Sequence, residues 1–432
     1  MKKYPPAPLN KTNVTTSVTT DPAKRRLFLK SGLLAGAGLV SGSASAASSS
    51  NKLLPHWSRH LGPGVASTGY GVPSRFETDV QRKTLDWLRA RRESSVSFSP
   101  LQSQHGIITP SGLVFERHHA GIADIDPNSH YLLIHGLVER PLKFTLSDLM
   151  RFPSVSRIHF LECAANGVLN YPGAQYNSLQ FNFGMLSCCE WTGVPLSTLL
   201  KEAGVRKPAK WILAEGADAA ALTRSIPLDK ALDDTLVVYA QNGEMLRPEQ
   251  GYPMRLLLPG WEGIINVKWL RRLELGDKPW ETREETATYT DLMPDGKARQ
   301  YTFVMETKSV ITSPCPENPM AGKGRVSING LAWSGHGRIK RVDVSVDGGR
   351  NWRTARLQGP VQNKSLTRFS MDWDWNGEVA LLQSRAIDET GYVQPTMAEL
   401  RKIRGIRSFY HNNSIQTWLI NKNGEVENVQ LA

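Results

Sequence analysis

The chain has 432 residues, 40% apolar and 21% charged, a balance that excludes a disordered tail-like protein and leaves room for two or three globular domains. Its net charge of +12 is uneven, because residues 1–46 hold seven Lys and Arg against one acid, and no nucleic-acid motif accompanies the mildly basic remainder. The four cysteines, Cys163, Cys188, Cys189 and Cys315, form no C-x-x-C pair and no C-x-x-C-H, which excludes zinc-ribbon, thioredoxin-like and covalently haem-bearing readings. No haem is therefore expected on this chain. Adjacent Cys188 and Cys189 are poorly spaced to bridge each other, and a bridge from either to Cys315 is left open.

In chain order, residues 1–46 read as an export signal. Lys24-Arg25-Arg26-Leu27-Phe28-Leu29-Lys30 resembles the twin-arginine consensus, the run from Leu33 to Val40 is weakly apolar, and Ala44-Ser45-Ala46 offers a cleavage site. The run is too short and too rich in small residues to span a membrane. The expected location is the periplasm. Residues 47–100 form a polar N-terminal extension with one predicted helix, Phe76 to Arg92.

From residue 101 the texture changes. Strands are predicted at Tyr131–Gly136, Trp211–Glu215, Leu236–Gln241, Arg255–Leu258 and Val267–Leu273, and short helices at Phe144–Met150, with Thr145 as N-cap, and at Thr192–Leu200, with Pro195 in the first turn. Arg157-Ile-His-Phe-Leu-Glu-Cys163-Ala-Ala-Asn-Gly167 reads as a buried strand opening into a small-residue loop, which can present a sulfur to a cleft. A lone buried cysteine is more often a small hydrophobe, so this segment needs support from elsewhere. Mixed short elements of this kind predict an α+β body over residues 101–300. After a charged connector, residues 301–432 are strand-rich. Gly324–Gly330, Ile339–Val346, Trp352–Leu357 and Val379–Ile387 alternate with period two, and Asp347-Gly348-Gly349 marks a hairpin turn. An Ig-like β-sandwich is expected there; taken alone, it would equally suit a secreted binding module.

Phe160-Leu-Glu-Cys163-Ala-Ala-Asn166-Gly167 resembles the cysteine segment of the sulfite oxidase family of molybdenum enzymes. The resemblance implies an oxidoreductase carrying a molybdenum–molybdopterin cofactor, with Cys163 as the metal ligand, and a C-terminal sandwich that makes a homodimer. Arg117 and His119, in Phe115-Glu-Arg-His-His, match the family's active-site arginine and a pterin contact, with Phe115 beside them. Arg255, in Gly251-Tyr-Pro-Met-Arg, matches a phosphate-holding arginine; Asn266 and Lys268, in Asn-Val-Lys-Trp-Leu, match further pterin contacts. Asp218 and Tyr289 stand where the family places a polar pterin ligand and a substrate-side tyrosine. A guanidinium suits the phosphate, because its fork binds oxyanions bidentately.

Three departures matter. Gln250 replaces a family histidine at a pterin contact, Phe181 stands where a tryptophan is common, and Gly167-Val168 carries no charge where sulfite-oxidising members place a basic residue. Other segments, such as Phe152-Pro-Ser-Val-Ser-Arg-Ile-His-Phe-Leu-Glu and Arg247-Pro-Glu-Gln-Gly-Tyr-Pro, resemble the branch that oxidises a sulfane sulfur held on a carrier protein's cysteine. That branch implies a c-type dihaem cytochrome subunit as electron acceptor and a homodimer within a heterotetramer. Direct oxidation of free sulfite is the alternative.

Overall fold

The computed structural model describes residues 61, 70–85, 91–406 and 408–431, so the expected export signal and its cleavage site lie outside the described residues. All that follows concerns the unit formed by residues 73–432.

Its first body carries β1 (Leu132–Gly136), β2 (Leu142–Phe144), β3 (Val155–Glu162), β4 (Leu186–Pro195) and β5 (Trp211–Gly216). β6 (Thr223–Pro227), β7 (Leu236–Gln241), β8 (Glu244–Met245), β9 (Arg255–Leu257) and β10 (Leu270–Gly276) follow. Two sheets result. One has the order β2-β1-β10-β5-β6, the other β3-β4-β7-β8 with β9 paired to β7. Short helices lie between the strands: α1 (Leu146–Leu149), α2 (Leu179–Phe183), α3 (Leu196–Ala203) and α4 (Leu228–Asp233). α1 starts where expected, because Thr145 and Asp148 form a reciprocal capping box. Leu132 and Ile134 of β1, Leu196, Leu199 and Leu200 of α3, and Leu273 of β10 close one core.

Two expectations fail here. Thr192–Val194 belong to β4, where Ser156 pairs with Thr192; α3 begins only after Pro195, which caps it with no side-chain hydrogen bond. The helix over 76–92 is not formed among the described residues. Arg75–Glu77 make a single 3₁₀ turn, and the backbone of Lys83 pairs with Phe98 (N···O 3.3 and 2.8 Å). Tertiary pairing there outweighs a weak helical pattern.

The second body is the expected β-sandwich, preceded by a small ribbon of β11 (Asp291–Leu292) and β12 (Ala298–Arg299). β13 (Lys308–Ser313), β14 (Gly324–Trp333), β15 (Ile339–Ser345), β16 (Arg353–Thr354) and β17 (Arg356–Leu357) lead into β18 (Thr367–Trp375) and β19 (Ala380–Asp388). β20 (Thr417–Ile420) and β21 (Val426–Val429) complete it, giving sheets β13-β14-β18-β17 and β16-β15-β19-β20-β21. A helix absent from the sequence reading, α5 (Met397–Arg404), is held by a Thr396–Glu399 capping box.

The two bodies share apolar packing. Phe160 of β3, Phe183 of α2, and Leu186 and Cys188 of β4 belong to one buried cluster with Val310, Trp333, Phe369 and Trp418 of the sandwich. All four cysteines are free, so neither Cys188 nor Cys189 bridges Cys315. Cys188 Sγ instead rests 3.4 Å from Ser365 Oγ.

Candidate active site

β3 ends at Glu162, and the chain turns through Cys163–Gly167. The turn needs Gly167, whose φ of +92° places it in the left-handed region. Two cavities meet at Cys163. The first is a narrow cleft partly open to solvent. It is lined by Phe115, Arg117, His119, Cys163, Asp218, Gln250, Arg255, Asn266, Lys268 and Tyr289, so all ten residues singled out from the sequence meet there.

Its charge is deeply buried. Arg255 is 2% exposed, and its guanidinium donates to the carbonyls of Gln250 (3.0 Å), Asn266 (3.0 Å) and Leu256 (3.3 Å). Burial brings its pKa down to about 10. The Lys268 ammonium donates to the carbonyls of Glu249 (3.0 Å) and Arg117 (3.2 Å) and to His118 Nδ1 (2.9 Å). Burial, reinforced by Arg255, pushes its pKa well down. The rings of Trp191 and Trp269 lie 5.2 and 4.5 Å from these two cations. Neither cation makes an ion pair with a carboxylate among the described residues. Two buried cations offered mainly neutral acceptors leave the cavity strongly favourable to an anion.

The wall is braced from outside. Because Lys268 donates to His118 Nδ1, the ring proton sits on Nε2, facing Glu116 Oε2 at 2.8 Å; Arg82 in turn pairs with Glu116. Gly251, at φ +107°, lets the chain close on Lys268, whose Cβ would meet an added Cβ at 3.0 Å. The side chains of Gln250 and Asn266 hold the wall itself. Gln250 Nε2 donates to the Phe115 carbonyl (3.1 Å), while Asn266 donates to the Glu262 carbonyl (2.9 Å) and accepts from Leu258 N–H (2.7 Å). Asp218 accepts from Leu222 N–H at 3.2 Å. His119 is held neutral to about pH 3, first by burial and then by Arg117.

The second cavity shares Arg117, Cys163 and Tyr289 with the first. Val168, Leu169, Phe181, Met185, Tyr289, Phe409 and Tyr410 line it, and among the described residues Arg117 is the only charged side chain it contains. Tyr289 and Tyr410 stack with ring centroids 4.8 Å apart, and Phe409 meets Tyr410 edge-on at 5.0 Å. The Arg224 guanidinium lies 5.3 Å from the Tyr289 ring, its Nη2 bonded to Glu262 (2.6 Å). Glu262 also meets His411 Nε2 at 3.2 Å. Burial and the nearby Cys163 push the pKa of both tyrosines up, that of Tyr410 to about 12, so both keep their protons at neutral pH. Burial likewise raises that of the Cys163 thiol.

Phe409, Tyr410, Glu262 and His411 were not singled out from the sequence. The C-terminal three are ordinary loop residues until the fold returns them to Cys163, where His411 N–H bonds the Ala164 carbonyl at 2.7 Å.

These residues fit a molybdenum–molybdopterin cofactor whose metal Cys163 would bind: a soft sulfur donor lies at the meeting of two cavities, one of which is cationic, buried and poor in anions.

Comparison with known proteins agrees. The model of the oxidoreductase molybdopterin binding domain matches residues 119–284, and that of the Mo-co oxidoreductase dimerisation domain matches residues 299–418. Mitochondrial sulfite oxidase of Mus musculus is 30% identical over 347 residues, which cover 74% of this chain and 63% of that protein. NADH nitrate reductase of Solanum lycopersicum is 32% identical over 332 residues, covering 67% of this chain and 36% of that protein. The chain thus spans less than two thirds of the length of these two relatives. A chain in the crystal structure of the sulfane dehydrogenase SoxCD from Paracoccus pantotrophus superposes with a TM-score of 0.87 at 53% identity, over 88% of this chain and 98% of that one. The cysteine at the end of β3, the cationic cavity and the two-body architecture therefore belong to a member of the sulfite oxidase family of molybdopterin-binding oxidoreductases.

Proposed function

We propose that this chain is the molybdenum subunit of a periplasmic sulfane dehydrogenase. It would oxidise a sulfane sulfur held on a carrier protein's cysteine during thiosulfate oxidation and pass the electrons to a c-type dihaem cytochrome subunit. Arg255 and Lys268 would hold the anionic end of the pterin, with Asp218, His119, Gln250, Asn266 and Phe115 around it, and Cys163 would bind the metal. Bound there, the cofactor supplies a two-electron acceptor and oxygen-atom transfer. Arg117 faces both cavities and would stabilise negative charge developing on the oxidised sulfur. Tyr289, neutral and stacked on Tyr410, offers a hydroxyl donor on the same side and helps exclude water.

The observation that carries the substrate reading is the composition of the second cavity. Sulfite is a compact dianion, and capturing it calls for several converging cations. Here Val168 and Phe181 form the wall, and Arg117 is the only charge among the described lining residues. A sulfur on a protein-borne cysteine needs less local charge, since contacts between the proteins supply the remaining affinity. Steady-state kinetics on loaded carrier and on free sulfite, with a dihaem cytochrome as acceptor, test this directly. Efficient turnover of the carrier with weak turnover of sulfite is expected; a preference for free sulfite would make the chain a sulfite:cytochrome c oxidoreductase instead.

A further inference from the structure

The loop that presents Cys163 is held in part from the other body of the protein. Lys308, at the start of β13, is 2% exposed; its ammonium donates to Glu162 Oε1 (3.1 Å) and to the Asn166 carbonyl (3.0 Å), one on each side of the cysteine. Glu162 is fully buried, and its second oxygen accepts from the indole of Trp333 on β14 at 2.6 Å. From the segment before β20, Asn412 Nδ2 donates to the Gly167 carbonyl (2.9 Å), next to the His411 bond to Ala164. Within the first body the loop is tied by Cys163 N–H to the Met185 carbonyl (3.0 Å), Asn166 N–H to the Cys163 carbonyl (2.8 Å), the short-range turns Val168 N–H to Ala165 and Asn170 N–H to Gly167 (3.0 Å each), and the Asn166 amide to Glu162 and Met185.

We infer that Lys308 and Asn412 of the β-sandwich are positioning residues for Cys163, so that the second body, beyond any part in dimerisation, sets the aim of the metal-binding sulfur. Neither side chain lines either cavity, so both act through the loop. Lys308 pins the two ends of the turn to one buried charge. Asn412 ties the carbonyl of the glycine that lets the loop reverse. Without them the loop keeps its covalent path but loses restraints on the sulfur's direction, which is the quantity a metal ligand must hold to a fraction of an ångström.

The inference rests on Cys163 as the metal ligand, and its test separates the two ideas. In full-length protein made without molybdopterin, peptide-resolved labelling with a small maleimide reports how often each buried thiol becomes accessible. Lys308→Met should raise the Cys163 rate about tenfold, the scale of one lost charge-assisted hydrogen bond, and leave Cys188, Cys189 and Cys315 at wild-type rates. Asn412→Ala, which removes one neutral bond to the same loop, should raise it by a smaller factor. It decides the matter alone if Lys308→Met strands Glu162 and fails to fold. In cofactor-loaded protein both variants should shift the thiolate-to-metal absorption band without emptying the site of molybdenum. A folded variant with wild-type Cys163 labelling and an unmoved band overturns the positioning role, as does a uniform rise at all four cysteines. Absence of molybdenum from the loaded wild type overturns the underlying site reading, whatever the labelling rates.

Discussion

The two cavities that meet at Cys163 are built on opposite principles. The first sinks Arg255 and Lys268 into the protein and offers them backbone carbonyls, so charge is stored against the arrival of an anion. The second has one described charge and a wall in which aliphatic and aromatic side chains outnumber a few neutral polar ones. On the proposed reading, electrostatics would secure the cofactor, whereas shape and exclusion of water would govern the substrate side. Val168 marks the difference, since a charge at that position would make the second cavity resemble the first.

Removing the junction is the severest test of this contrast. Cys163→Ser exchanges a soft donor for a hard one at the point both cavities share, and should cost more than about 100-fold in turnover while leaving a folded protein that still binds pterin. Turnover and pterin content measured on the same preparation check it.

Stripping charge from the first cavity comes next. Arg255→Met keeps an apolar stem and deletes the guanidinium that lies 5.2 Å from the Trp191 ring; pterin affinity should fall by roughly 10- to 100-fold, the scale of one to two charge-assisted contacts. Pterin recovered after gel filtration measures the loss.

Adding charge to the second cavity should blur the comparison. Val168→Arg is expected to raise kcat/KM for free sulfite by about tenfold and to lower it for carrier-bound sulfur by crowding the entry. Kinetics with both substrates would show whether the two respond in opposite directions.

The last test concerns protons and leaves catalysis aside. His119 keeps its neutral form to about pH 3 in the fold, against an ordinary value of 6.5. Between those values the unfolded chain binds more protons than the folded one, so stability is lost as pH falls from 6.5 towards 3. His119→Gln should flatten part of that loss in cofactor-free protein, measured as urea midpoints across the range.

What the sequence made legible was local. The strand into Cys163, the Thr145 cap and the alternation of the sandwich strands follow from near-neighbour patterns; eight of the ten candidate residues sat in short segments resembling the family's, while Asp218 and Tyr289 were placed by position alone. Thr192 misled because Thr-Gly-Val-Pro reads equally as a helix entry and a strand exit, and only pairing with Ser156 decides. The Phe76 helix failed for a similar reason, since Lys83 finds its partner at Phe98. α5 was within reach, because Thr396-Met-Ala-Glu399 carries the capping-box signature. Lys308, Tyr410 and Asn412 were not, for nothing near them in the chain hints at chemistry. Lys308 meets Glu162 across 146 positions and Asn412 meets Gly167 across 245, distances over which pattern carries no information.

The apolar cluster joining Phe160 and Leu186 to Trp333 and Trp418 bears on how such proteins can diversify. Two bodies that share one interior cannot be recombined as interchangeable parts. A sandwich taken from a relative would have to arrive with a matching face on β3 and β4, and with the lysine and tryptophan that receive Glu162. Recombination between the halves should therefore be rare compared with substitution in the loops around the second cavity, where new specificities can arise without reopening the seam.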